Sequence, residues 1–185
     1  MNWEEVYIYV HQSINSLYHS IPNYLLFTLV IVLLVSSILV FSTRKIEHKG
    51  RKLGLIIIIE YSILLYCITF FLRPIQDNSS FNFHLFWSYK AFSDGLNAVM
   101  AEKLLNVAVF VPIGLLMGMT FKKIGWLQVF LISTMLSVSI ELMQFLLRRG
   151  FAETDDVLHN VAGSLVGFSL YKAINFVYKR VTCLR

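Results

Sequence analysis

Runs of about twenty predominantly apolar residues recur along this chain, near residues 22–41, 53–72, 104–121, 126–147 and 156–176. A helix of that length is what a hydrocarbon core of roughly 30 Å requires. The chain is 57% hydrophobic and only 15% charged, whereas a soluble domain carries about 25% charged residues. The runs therefore predict an all-α, polytopic transmembrane helical bundle of about five spans, built as one compact unit, and exclude a soluble globular domain.

Four regions follow. Residues 1–21 contain no Lys or Arg, and Trp3, Tyr7, Val10, Ile14, Leu17 and Ile21 recur at three- and four-residue steps opposite Glu4, Glu5 and Gln12. That pattern predicts an amphipathic helix lying in the membrane interface; it lacks the basic start of a secretory signal. Residues 22–52 hold the first span, opened by Pro22, and a basic loop with Arg44, Lys45, Lys49, Arg51 and Lys52. Residues 53–178 form the main transmembrane domain, and residues 179–185 a basic tail. Within the main domain, an aromatic loop over about residues 73–102 is expected at headgroup level. Lys122-Lys123-Ile124-Gly125 makes a tight turn between the third and fourth spans.

The net charge of +5 reads as loop charge rather than as a nucleic-acid surface, because no basic patch with interleaved aromatics lies outside the spans. Cys67 and Cys183 are far apart in sequence and context, and no histidine spacing suits a metal. No metal or cofactor is expected. Placing the first basic loop in the cytoplasm puts eleven of the sixteen Lys and Arg residues inside; Arg73, Lys90, Lys103, Arg148 and Arg149 fall outside. This predicts a multi-pass protein of the cytoplasmic membrane with its amino terminus outside and its carboxy terminus in the cytoplasm.

Five polar residues stand within the spans: Glu60, Asn106, Glu141, Gln144 and Asn160. A charge at mid-membrane costs at least ~2.5–3.5 kcal/mol, so such groups turn toward protein or a wet cavity. Under the predicted topology all but Glu60 share the outer leaflet, with Asn106 opening the third span. Glu141, Gln144 and Arg148 project from one helical face. Asp156, Asn160, Gly163 and Gly167 recur by four, three and four on the last span. Gly163-x-x-x-Gly167 and Gly114-x-x-x-Gly118 allow close helix approach, and Pro112 should free a backbone carbonyl one turn earlier. The loop from Arg148 to Asp156 adds Arg149, Asp155 and Asp156. The bland reading is a capped helix with local ion pairs. The functional reading is an outward polar pocket of Asn106, Glu141, Gln144, Arg149, Asp155, Asp156 and Asn160. Its arginine would hold an anion, and its carboxylates could hold a divalent cation or act as acid and base. His159 sits about 100° from the Asn160 stripe and is expected at an interface.

The ordered blocks Asn106-x-x-x-Phe110-x-Pro112-x-Gly114, Glu141-x-x-Gln144, Arg149-Gly150 and Asp155-Asp156-x-x-x-Asn160-x-x-Gly163-x-x-x-Gly167 resemble the VanZ-like family across about residues 61–171, Phe71-Leu72-Arg73 included. The resemblance implies a role in the bacterial cell envelope and, from the family's founding member, an association with resistance to the lipoglycopeptide teicoplanin. It carries over no catalytic residues. Three expectations result. The pocket engages lipid headgroups, lipid-linked wall precursors or the antibiotic; or it is the centre of a membrane-embedded enzyme, although no nucleophile motif or phosphate loop is present; or the chain is a transport or scaffold component that works with a partner, a homo-oligomer joined through the glycine grooves included.

Overall fold

The computed structural model describes residues 3–20, 49–71, 75–78, 80–121 and 123–183. The predicted first span, most of the basic loop after it, Leu72, Arg73 and Lys122 lie outside the described residues. Helix α1 covers Trp3–Ser20 and α2 covers Lys49–Tyr66. A π-helical turn, Cys67–Phe71, prolongs α2. Strand β1, Ser80–Asn82, leads to the short helix α3, Trp87–Ser93. Helices α4, Asn97–Thr120, and α5, Trp126–Leu147, follow, then strand β2, Phe151–Glu153, and the long helix α6, Thr154–Cys183.

Three of these helical stretches, Gly50–Thr69, Asn97–Thr120 and Trp126–Leu147, are long and apolar enough to cross a membrane. Helix α6 has the length, but Asp155, Asp156, His159 and Asn160 at its start and Lys172, Lys179 and Arg180 at its end dilute its apolar content. The burial pattern is inverted relative to a water-soluble bundle. On α5 the buried face is Val129, Ser133, Ser137, Ile140, Glu141 and Gln144. The opposite face exposes Leu127, Phe130, Leu131, Met135, Leu142 and Leu146. Polar inside and apolar outside is how a helix behaves when its solvent is lipid.

Lipid supplies no hydrophobic drive for helices to associate, so close packing and hydrogen bonds must do it. Helices α4 and α6 run parallel and meet through glycines contributed by both. A Cβ built on Gly163 would strike the Val107 carbonyl, one on Gly167 the Val111 carbonyl, and one on Gly114 the Ser164 carbonyl. Gly118 receives the ring of Tyr171. Both glycine stripes are thus filled within one chain. The core that grows from this seam joins Phe110, Ile113 and Met117 of α4 to Phe168 of α6, Leu65 of α2, and Val129 and Ile140 of α5. Pro112 lies inside α4; the Tyr61 hydroxyl of α2 donates to the Val109 carbonyl at 2.7 Å, next to the Ala108 carbonyl that loses its partner to proline.

The two ends of the bundle differ. At one, Arg51 lies over the Phe121 ring, 5.7 Å away, and Thr120 fills the space beside Gly54. At the other, β1 and β2 pair in parallel, Ser80 with Phe151, Phe81 with Ala152 and Asn82 with Glu153. The chain reaches β2 by leaving α5 through Arg148, in the left-handed region at φ 54°, and Gly150, at φ 131°. The first value is uncommon for a residue with a Cβ; the second is open essentially to glycine alone. Helix α1 docks at this same end, where Asn97 donates to Glu5 at 2.7 Å.

Candidate functional site

The expected aromatic loop is a built cap rather than a passive linker, and one buried carboxylate fixes it. Asp155 is fully buried. Its Oδ1 accepts from the Phe86 amide at 2.5 Å, and its Oδ2 accepts from the Ser88 amide at 3.1 Å and the Ser88 hydroxyl at 2.6 Å. Sequence reasoning gave Asp155 to the start of its own helix; it caps the first turn of α3 instead, satisfying amides that a helix start leaves free. Burial alone would push this carboxyl up, but the bonds from Ser88 and Phe86 outweigh it and hold it below the ordinary carboxylate range. A group depressed on folding stabilises fully above its unfolded value, near pH ~3.9, and the gain disappears as pH falls through the lower folded value. Thermal melts in detergent should therefore lose nothing from this group down to about pH 5, and lose its contribution below that. Asp155→Asn should lower stability by roughly 1.5–3 kcal/mol at neutral pH.

Asp156, one residue on, points about 100° away around the helix and enters the interior. There it meets Lys103 of α4. The ammonium is fully buried and donates at 2.5 Å to Asp156 Oδ1 and at 2.5 Å to Glu153 Oε2 of β2. The Trp87 ring of α3 lies 5.4 Å from the same nitrogen. Glu141 of α5, also buried, joins through the backbone, its Oε2 accepting from the Glu153 amide at 3.0 Å. Burial is the largest influence on Glu153 and raises its pKa, while Lys103 pulls it back down. Three elements, α3, β2 and α6, thus meet one lysine of α4, and α5 joins through the Glu153 amide.

Around this centre the remaining predicted residues divide. Asn160 donates to the Ser137 hydroxyl at 2.9 Å and ties α6 to α5 just below. Gln144 turns to α2, its Nε2 donating to the Thr69 carbonyl of the π-helical turn at 3.1 Å. Asn106, half-buried, follows Lys103 by three positions. Helix α4 starts at Asn97, not near Leu104, so Asn106 lies more than two turns inside it. Arg149 is half-buried in the turn before β2. The packing residues Pro112, Gly114, Gly118, Gly163 and Gly167 all belong to α4 and α6.

Lys103 and Glu153 are the functional candidates that sequence reasoning missed; the lysine was counted as an outward loop charge. Starting the third helix at Asn97 would have placed Lys103 three residues before Asn106 on one face. His159 is nine-tenths buried at an interface, as its helical phase implied. Its Nδ1 lies 2.6 Å from the Asp155 carbonyl and its Nε2 3.2 Å from the Tyr89 hydroxyl. The carbonyl can only accept, so Nδ1 carries hydrogen, and in the neutral ring Nε2 then accepts from Tyr89. Among the described residues, no group of three His, Cys, Asp or Glu could hold a metal ion.

The VanZ/LLP1 family profile matches residues 24–176. Protein VanZ of Enterococcus faecium is 38% identical over 74 residues, which cover 40% of this chain and 46% of that protein. The match thus spans less than half the length of that relative. No solved structure matches the chain.

Proposed function

The chain belongs to the VanZ/LLP1 family, and from that membership we propose that it acts in the bacterial cell envelope, where the polar end of the bundle built around the Lys103 cluster engages a polar headgroup at the outer face of the cytoplasmic membrane. Lipid headgroups, lipid-linked wall precursors and glycopeptides such as teicoplanin offer the charges and hydroxyls that its carboxylates and basic side chains would meet. The observation that carries this reading is the complete burial of Lys103 between Glu153 and Asp156. Taking such ions out of water costs several kcal/mol each, and stability alone is often served as well by apolar residues. Ionisable groups kept at membrane depth mark functional sites by default.

The outward orientation has two supports. The capped end holds Lys90, Lys103, Arg148 and Arg149, four of the basic residues that the charge count leaves outside, and the opposite end gathers Arg51, Lys52, Lys123, Lys179 and Arg180. Glu5 of α1 sits at the start of α4, whereas Arg51 of α2 sits at its end, so the two lie at opposite ends of the bundle, which favours an external amino terminus. Deleting the gene should sensitise the host to teicoplanin more than to vancomycin, and Glu141→Gln should fail to restore resistance while accumulating normally. Unchanged susceptibility to both drugs in cells that make the protein would count against the reading.

A catalytic variant of this reading is favoured by the Nδ1 bond of His159, which in the neutral ring turns Nε2 as a base toward the half-exposed Tyr89 hydroxyl. Its mark would be accumulation of an unprocessed lipid or wall intermediate in cells carrying His159→Gln at normal protein levels.

A further inference from the structure

The cap does not sit above the bundle; it hangs down its side. Trp87 reaches Lys103, six residues into α4, and Tyr89 reaches His159, five residues into α6. Asp155, in the first turn of α6, holds the Phe86 and Ser88 amides, so α3 is level with that turn, while Lys103 lies about 9 Å along α4 from its start. Helix α3 therefore lies beside α4 and α6 at a depth where α4, a membrane-capable helix, exposes Leu104. No Asp, Glu, Lys or Arg occurs between Asp77 and Lys90. Three apolar side chains of the segment are strongly exposed, Phe83 at 77%, Phe86 at 60% and Leu85 at 53%, and its exposed polar members include His84 and Lys90.

The tip is also held under strain. Phe86 stands in the left-handed region, at φ 64° and ψ 15°, a conformation that bulky residues avoid. The bond from its amide to buried Asp155 maintains it. A strained backbone is thus kept in a form that leaves an aromatic ring and its neighbour Leu85 pointing away from the protein.

We propose that the segment Ser80–Ser93 is a membrane-inserted loop, with Phe83, Leu85 and Phe86 seated among the acyl chains of the leaflet at the capped end. Its occupant is lipid, because no Asp, Glu, Lys or Arg lies from Ser80 to Tyr89, the exposed Lys90 can carry its ammonium to the headgroups on a long stem, and α3 lies beside the first turns of α4, where Leu104 is exposed. Aromatic side chains favour this boundary. The assignment of that leaflet as the outer one rests on the preceding reading; insertion itself does not. Insertion makes the leaflet, rather than bulk water, the phase that borders Trp87 and Tyr89.

The full chain, with Cys67→Ala and Cys183→Ser, is labelled with an environment-sensitive fluorophore at Phe86→Cys or Phe83→Cys and placed in phosphatidylcholine–phosphatidylglycerol vesicles. Lipids brominated on their acyl chains should quench both labels strongly, and aqueous iodide should quench them weakly. Strong iodide quenching without bromolipid quenching would overturn the proposal. So would shielding that appears only at high protein density, because a second copy of the chain would then cover the loop. Phe83→Cys keeps the test open should the strained Phe86 position fail to tolerate replacement. A loop shown to lie in water would leave the drug-susceptibility result untouched, so the two failures are separable.

Discussion

Lys103→Met should cost roughly 3–5 kcal/mol of stability, because it leaves Glu153 and Asp156 buried without their cation. Both carboxylates lie 2.5 Å from the ammonium, and its side chain is 1% exposed. Much of the penalty arises from the charges left behind rather than from the bonds lost. The sign of the pH response follows. Glu153, already raised by burial, would lose the cation that pulls it down. The folded variant would then bind protons more readily than the unfolded chain, so its stability should rise as pH falls from about 7 to 5. Melts of purified protein in detergent at these two values check both the loss and its direction. A variant as stable as the parent at neutral pH would mean that the cluster is hydrated or loosely formed.

The second large effect is expected at the seam of α4 and α6. Gly163→Ala should destabilise by about 1–3 kcal/mol or more, because the new methyl meets backbone that has no rotamer to change. The obstacle at Gly163 is the Val107 carbonyl, at Gly114 the Ser164 carbonyl. Gly50→Ala is the control; nothing lies within 4 Å of a Cβ there, and alanine in a helix should gain up to about 1 kcal/mol over glycine. The double variant Gly114→Ala, Gly163→Ala should cost less than the two single losses combined, since helices already parted for one methyl make room for the next. Additive losses would show that the two contacts are independent rather than one seam. A loss at Gly163 without any change in oligomeric state is also expected, because the groove is filled by the chain's own helix.

Much of this architecture was legible from residue spacing, and the parts that were not have a common cause. The apolar runs marked α2, α4 and α5, and the small-residue steps on α4 and α6 marked the seam, because both are local periodicities. Glu141, Asp156 and Asn160 were recognisable because a polar residue in a greasy helix must find company. What spacing does not carry is the partner. The cation that Asp156 needs sits 53 positions away, at a place where an assumed helix start made Lys103 look like loop. Asp155 and Asp156 read as one acidic pair, yet the 100° step between consecutive helical residues sends one to the cap and the other to the interior. The cap was legible only as an aromatic-rich loop, because its form depends on a carboxylate 69 residues from the Phe86 amide it binds.

The account turns on the Lys103 cluster serving function beyond holding the helices together. A neutral replacement of the whole triad, Lys103→Met with Glu153→Gln and Asp156→Asn, separates the two roles, since removing all the charges at once leaves none orphaned. The decisive measurement is teicoplanin susceptibility of deletion cells that carry this variant, at membrane protein levels and melting temperature matched to the parent. Failure of this folded, charge-free protein to restore the parental response is the predicted result. Full restoration would contradict it and reduce the buried ions to a structural clamp.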